Sequence, residues 1–161
     1  MATTVQQTSL KTTITEEVTI NGRARNSTVT KTINGIGEVF TNISDVTTAG
    51  TNLCQFASTK GAGVFSTAGS GAGHVKYIRI SNLDDTNFVD ITCSDHITAG
   101  SATNLFSTRL LAGKSFMLSG LKFDVATSDA DNSIAAGTTI ANIRGIADSA
   151  SVDVEIVVAS Q

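Results

Sequence analysis

Hydrophobic and polar residues alternate with a period of two through much of the chain, the pattern of strands that bury one face. The clearest stretch lies within residues 74–118. Val75-Lys-Tyr-Ile-Arg-Ile-Ser81 and Phe88-Val-Asp-Ile-Thr-Cys93 predict two strands joined by the polar loop Asn82-Leu-Asp-Asp-Thr-Asn87. Leu105-Phe-Ser-Thr-Arg-Leu-Leu111 and Lys114-Ser-Phe-Met-Leu118 predict two more on either side of a tight turn at Ala112-Gly113. Near the end of the chain Val152, Val154, Ile156 and Val158 share one face, while Asp153 and Glu155 share the other. The expected core is Ile78, Ile80, Val89, Ile91, Phe116, Leu118, Val154 and Ile156, with Ile43, Val46, Leu53 and Phe56 added from short strands before it. Residues 121–126 and 138–146 read as further strands, and residues 127–137 as a polar loop. Residues 61–73 carry five glycines and little that packs, so they read as a loop or weak edge.

Turn chemistry organises the N-terminal part. Asn21-Gly22 and Asn34-Gly35 are dipeptides suited to two-residue type I′ turns, which need positive φ at both central positions. Two such turns predict a three-stranded meander. Counting outward from them sets Ile14 opposite Val29 and Val29 opposite Phe40, with Lys31 facing Glu38 and Glu16 diagonal to Arg25. Residues 1–11 are polar and offer no face to bury, so they read as an extended N-terminal arm before a single β-sandwich domain at 12–161.

Composition agrees with an all-β domain: 161 residues, 24 of them Thr and 14 Gly, with no Pro and 16% charged. One core is feasible at this length without disulfides. A net charge of −3, with Lys and Arg dispersed, argues against a nucleic-acid-binding face. The first residues lack the basic start and apolar run of a signal peptide, and no apolar span reaches membrane-helix length. In such a chain Cys54 and Cys93 are expected as buried free thiols.

Each fragment of catalytic or ligand chemistry is incomplete. Gly113-Lys114-Ser115 has Thr108 where a phosphate loop needs its first Gly, and a strand rather than a helix is expected after it. Asp95-His96 has no Gly-x-Ser-x-Gly elbow to present a nucleophile. Cys93 and His96 have metal-like spacing, but Cys54 and His74 are remote in sequence. Asp129, Asp131, Asn132 and Ser133 resemble the start of a calcium loop, yet Ile134 and Ile140 stand where it requires Gly and Glu. Asn26-Ser-Thr28 and Asn42-Ile-Ser44 are glycosylation sequons by letter only. No catalytic residue, cofactor site or metal site is expected, and the chain reads as a non-enzyme.

Tyr77-Ile-Arg-Ile-Ser-Asn82, Thr86-Asn-Phe-Val-Asp-Ile91, Leu111-Ala-Gly-Lys-Ser-Phe-Met-Leu118 and the ending Ile156-Val-Val-Ala-Ser-Gln161 resemble segments of small jelly-roll virion structural proteins of tailed bacteriophages of aquatic bacteria. That resemblance implies a jelly-roll-like antiparallel β-sandwich in a virion, synthesised in the host cytoplasm. It further implies a capsid decoration, or cement, protein acting through symmetric contacts as a homotrimer, with the major capsid protein as partner and no nucleic acid or membrane partner. A tail, neck or fibre component is the alternative within that class. A carbohydrate- or receptor-binding sandwich is the alternative outside it, disfavoured by a chain with seven Phe, one Tyr and no Trp.

Overall fold

The structure is a computed structural model that describes residues 6–57, 64–66, 75–94, 104–119 and 142–160. The strands, in chain order, are β1 (Thr8–Glu16), β2 (Thr19–Ile20), β3 (Arg23–Ala24), β4 (Ser27–Ile36), β5 (Glu38–Val46), β6 (Thr51–Ala57) and β7 (Val64–Ser66). They are followed by β8 (Val75–Asn82), β9 (Val89–Ser94), β10 (Asn104–Leu110), β11 (Ser115–Ser119), β12 (Asn142–Ala147) and β13 (Val152–Ser160). The described residues contain no helix. One sheet has the order β11-β8-β13-β5, and the facing sheet has the order β10-β9-β12-β6-β7. All neighbours within these sheets are antiparallel except the short β6-β7 pair. The fold is thus the antiparallel β-sandwich expected from the alternation.

Successive strands largely switch sheets. Strand β8 lies in one sheet and β9 in the other, and the Ala112-Gly113 turn carries the chain from β10 in one sheet to β11 in its partner. Gly113 has φ +67°, and Lys114 N–H closes the turn on Leu111 O at 3.1 Å. Between the sheets lie Ile78, Ile80, Val154, Ile156 and Val158 on one side and Val89, Ile91, Cys93 and Ile143 on the other, all at most 1% exposed. Ile80 sits opposite both Phe116 and Ile156, so a continuous apolar row crosses three strands. Six of the eight expected core residues are fully buried, and Phe116 and Leu118 pack against them while partly exposed on β11, at the end of its sheet. The rings of Phe106 and Phe116, 6.0 Å apart, connect the two sheets on that side. At Gly145 an added Cβ would lie 3.0 Å from Val46 Cγ1, so a glycine there lets β12 approach the facing sheet.

The N-terminal meander requires correction. Asn21 (φ 51°) and Gly22 (φ 74°) form the expected turn, and Ile14 pairs with Val29 as counted. At the second site only Gly35 has positive φ, at 72°, and it is an extra residue in the ladder because Thr8 pairs with Ile36 while Ser9 pairs with Asn34. A single left-handed glycine makes a bulge, whereas reversal through a type I′ turn needs two consecutive left-handed residues. The chain therefore continues past Gly37, whose N–H donates to Ser160 O at 2.9 Å, and enters the sandwich as β5. Phe40 lies opposite Val158 rather than Val29, Glu38 opposite Ser160, and Lys31 opposite Thr12.

Residues 8–11 belong to β1 and pair with β4, so the boundary drawn after residue 11 falls inside a strand. Ile43 faces outward, being opposite Glu155, and is exposed, whereas Val46, Leu53 and Phe56 are buried as expected. The strand expected at 121–126, the loop at 127–137 and residues 138–141 of the next strand lie outside the described residues, as does most of 61–73.

The burial pattern predicts a sharp contrast in stability. Truncation of Ile80, Ile91 or Ile156 to Ala should cost about 2–5 kcal/mol in denaturant unfolding, because each leaves a cavity between the sheets. Asp153→Asn, on the outer face, should change stability by no more than about 0.5 kcal/mol.

Candidate interaction surface

Among the described residues, those singled out for chemistry do not converge. Gly113-Lys114-Ser115 forms the turn into strand β11, so no helix N-terminus is present to hold a phosphate. His74, Asp95, His96, Asp129, Asp131, Asn132 and Ser133 lie outside the described residues. Among the described residues, no three His, Cys, Asp or Glu side chains group as metal ligands. The two sequon asparagines serve local structure: Asn26 Oδ1 accepts from Val18 N–H at 3.3 Å, and Asn42 Nδ2 donates to Ser44 Oγ at 2.9 Å.

Cys54 and Cys93 are buried free thiols on strands that flank β12, where both lie opposite Ile143. Two strand spacings, about 9.6 Å, separate them, which exceeds the reach of a disulfide. Desolvation pushes the Cys93 thiol up to about 12 and the Cys54 thiol higher, with the neighbouring Cys93 adding to the effect. Neither is poised as a nucleophile.

Hydrogen bonds organise the loop between β8 and β9. Buried Asn82 donates through Nδ2 to Asn87 O at 2.9 Å and Leu110 O at 3.1 Å, and its Oδ1 accepts from Asp84 N–H at 2.9 Å. Asp84 Oδ1 in turn accepts from Thr86 N–H at 2.7 Å and Asn87 N–H at 2.6 Å. These backbone donors, Asn87 first, hold the Asp84 carboxyl below the ordinary range. An open depression of about 370 Å³ beside this loop is lined by Leu83, Asp84, Asp85, Ser151 and Asp153. Across the sheet, Arg109 makes a two-pronged ion pair with Asp90, at 2.7 and 2.8 Å, and stacks 3.6 Å from the Phe88 ring centroid. The Arg109 hydrogen bonds are the main cause of a lowered Asp90 pKa. Both carboxylates complete structural contacts.

The exposed surface is more informative. Strands β1 to β4 form a long hairpin whose register is continuous through Glu16↔Ser27, Thr19↔Ala24 and Ile20↔Arg23. Its base is anchored: Ile33 and Ile36 are buried with Tyr77 and Ala159, and Leu10 and Val157 pack against them. Beyond the base, residues 13–32 are all exposed. Ile14, Val18, Ile20 and Val29 lie 44–59% open there. Nothing among the described residues covers them. An isolated two-stranded ribbon is marginal in water, so this one presents four apolar side chains without the packing that would stabilise it.

A second exposed strip runs along β5, which pairs with β13 and ends its sheet among the described strands. Val39 and Ile43 point outward at 56% and 58% exposure. Further along, Asp45 stands directly opposite Asp153, both exposed. Like charges in a cross-strand pair are destabilising. Outward Glu155, by contrast, is neutralised by Arg79 at 2.6 Å.

A scan against protein-family models finds no match, and searches of curated proteins and of solved structures find none either. The hairpin and the β5 strip therefore stand on geometry alone.

Two outcomes test this chemistry. Cys54 and Cys93 should react with a thiol reagent at pH 8 only as fast as the protein unfolds, at least tenfold slower than in denaturant. Asp84 and Asp90 have folded pKa values lowered from the usual ~3.9, so their contribution to stability is complete above that value and is lost as pH falls through their folded values. Acid titrations of Asp84→Asn and Asp90→Asn, followed by circular dichroism, should show a shallower loss of stability below about pH 4 than the parent protein.

Proposed function

We propose that the protein is a non-enzymatic structural component of a tailed-phage particle, a capsid decoration protein that acts as a homotrimer on the major capsid protein. The observation that carries this reading is the hairpin, anchored at its base by Leu10, Ile33 and Ile36 and otherwise exposing Ile14, Val18, Ile20 and Val29. A lone protein gains nothing from ordering such a ribbon, because fixing each residue costs about 1–2 kcal/mol that only packing can offset. A protein that works by attachment gains a projecting contact.

The strand order supports the jelly-roll expectation. With β5, β6 and β8–β13 numbered one to eight, the sheets read 1-8-3-6 and 2-7-4-5, an eight-strand double-sheet arrangement. Residues 1–11 were expected to be the arm. The hairpin of residues 8–36 takes over that role, since residues 8–11 are part of its base.

Replacing residues 12–31 with an Asn-Gly turn should leave the sandwich folded, with a melting temperature within a few degrees of the parent, and reduce attachment to particles at least tenfold. Mass spectrometry and immunogold labelling of purified particles should find the protein on the capsid surface. Its absence from particles, or turnover of a substrate by the purified protein, would overturn the reading.

A further inference from the structure

We propose that the hairpin of each subunit lies on the β5 strip of a neighbouring copy, Arg23 and Arg25 meeting the Asp45–Asp153 pair while Ile14 and Val29 cover Val39 and Ile43. This deepens the structural reading above by naming the contact through which the subunits associate.

Charge selects the occupant. Residues 8–36 carry four cations (Lys11, Arg23, Arg25, Lys31) and two carboxylates (Glu16, Glu17), a net charge of +2, so the rest of a chain of net −3 carries −5. Among the described residues no carboxylate forms an ion pair with Arg23, Arg25 or Lys31, since the ion pairs there join Arg79 to Glu155 and Arg109 to Asp90. On the strip, Asp45 and Asp153 face each other, and among the described residues no cation forms an ion pair with either. A neighbour's arginines would convert that repulsion into attraction.

The two patterns also match in length. Arg23 to Val29 spans six residue steps along the returning side of the hairpin, from β3 into β4, and Val39 to Asp45 spans six steps of β5, about 20 Å in each case. Alternate positions place Arg23, Arg25 and Val29 along one side of the ribbon, and Val39, Ile43 and Asp45 along the outer face of the sheet. A cation lies at one end of the first pattern and a carboxylate at one end of the second, with apolar residues after each.

The same mode of packing already exists within the subunit. Leu10 and Ile33 occupy the hairpin side that carries Ile14 and Val29, four residues nearer the base, and they rest on Tyr77, Val157 and Ala159 of the same outer sheet face. The proposed contact continues that interface, in a neighbour, onto the part of the face that no described residue covers. Nine residues of ribbon, about 30 Å by 10 Å, would bury about 600 Å² counting both partners. One such contact is the size of a crystal-lattice contact. In a closed ring each subunit gives one hairpin and receives another, so it takes part in about 1,200 Å², the lower end of stable association.

The test uses the full chain and light scattering coupled to size exclusion, with circular dichroism to confirm folding. The parent protein should associate at low salt, towards three times the 16.6 kDa chain mass, and dissociate progressively as salt rises. Arg23→Glu with Arg25→Glu, or Asp45→Lys with Asp153→Lys, should each weaken association at least tenfold. Mixing the two reversed proteins should restore association as mixed pairs, because the arm of each fits the strip of the other, whereas a closed ring of three would keep one like-charged contact. If a reversed protein fails to fold, the neutral pairs Arg23→Gln with Arg25→Gln and Asp45→Asn with Asp153→Asn replace it, and each should still weaken association. A parent protein that stays monomeric, reversed or neutralised proteins that associate as tightly as the parent, or folded reversed proteins that do not recover on mixing would each overturn the contact. A monomeric parent would also remove the homotrimer from the functional reading, whereas the variant and mixing outcomes bear on the contact alone and none bears on whether the protein is found on particles.

Discussion

The sandwich depends on the apolar layer between its sheets. Ile78, Ile80, Val154, Ile156 and Val158 on one side and Val89, Ile91, Cys93 and Ile143 on the other are removed from water almost completely. Burying an aliphatic side chain of this size contributes about 1.5–3 kcal/mol, and few polar groups intrude. Asn82 is one that does, and it remains tolerable because both ends of its amide are hydrogen-bonded. Through those bonds the loop from residue 83 to 88 is fixed to the end of β10, across the sheet boundary. The chain can therefore switch sheets there without leaving a buried amide unsatisfied.

The hairpin obeys a different economy. Its base shares in a small second cluster on the outer face of the sheet, with Ile33, Ile36, Tyr77 and Ala159 buried together. Its distal part relies on turn geometry, a ladder between two strands and threonine-rich β propensity. The Thr13 and Thr30 hydroxyls, 3.2 Å apart, are a cross-strand contact of that kind. Such interactions shape a ribbon and set its register but bury little surface. That difference separates a part of the molecule stabilised by burial from a part held by backbone pairing and strand propensity alone.

Both surfaces that carry the functional reading are sheet margins. Edge strands left open invite association, and proteins usually blunt them with charge or cover. Here Asp45 and Asp153 set two carboxylates side by side on the outer face, next to the exposed apolar Val39 and Ile43, and the proposed contact draws on both features. The buried thiols take no part, since desolvation keeps both protonated and β12 stands between them.

The sequence by itself determined the fold class, most strand positions and the inward faces, because a two-residue period records burial directly: Ile78, Ile80, Val89, Ile91, Val154 and Ile156 could be assigned from alternation alone. It also determined the Asn21-Gly22 turn and the Ile14–Val29 pairing, which are local consequences of backbone chemistry. Tertiary structure decided which strands became neighbours. Asn34-Gly35 has the letters of a hairpin turn, yet the ladder between β5 and β13 holds the chain extended past Gly37, and a long-range pairing of nine residues outweighs one dipeptide preference. For the same reason the sequence could not show that Ile43 faces water or that Asp45 meets Asp153, since each depends on a strand more than a hundred residues away. The candidate surface was legible only in part: its apolar pair was counted correctly in the sequence, but exposure is a property of what does not pack, and no local pattern encodes it.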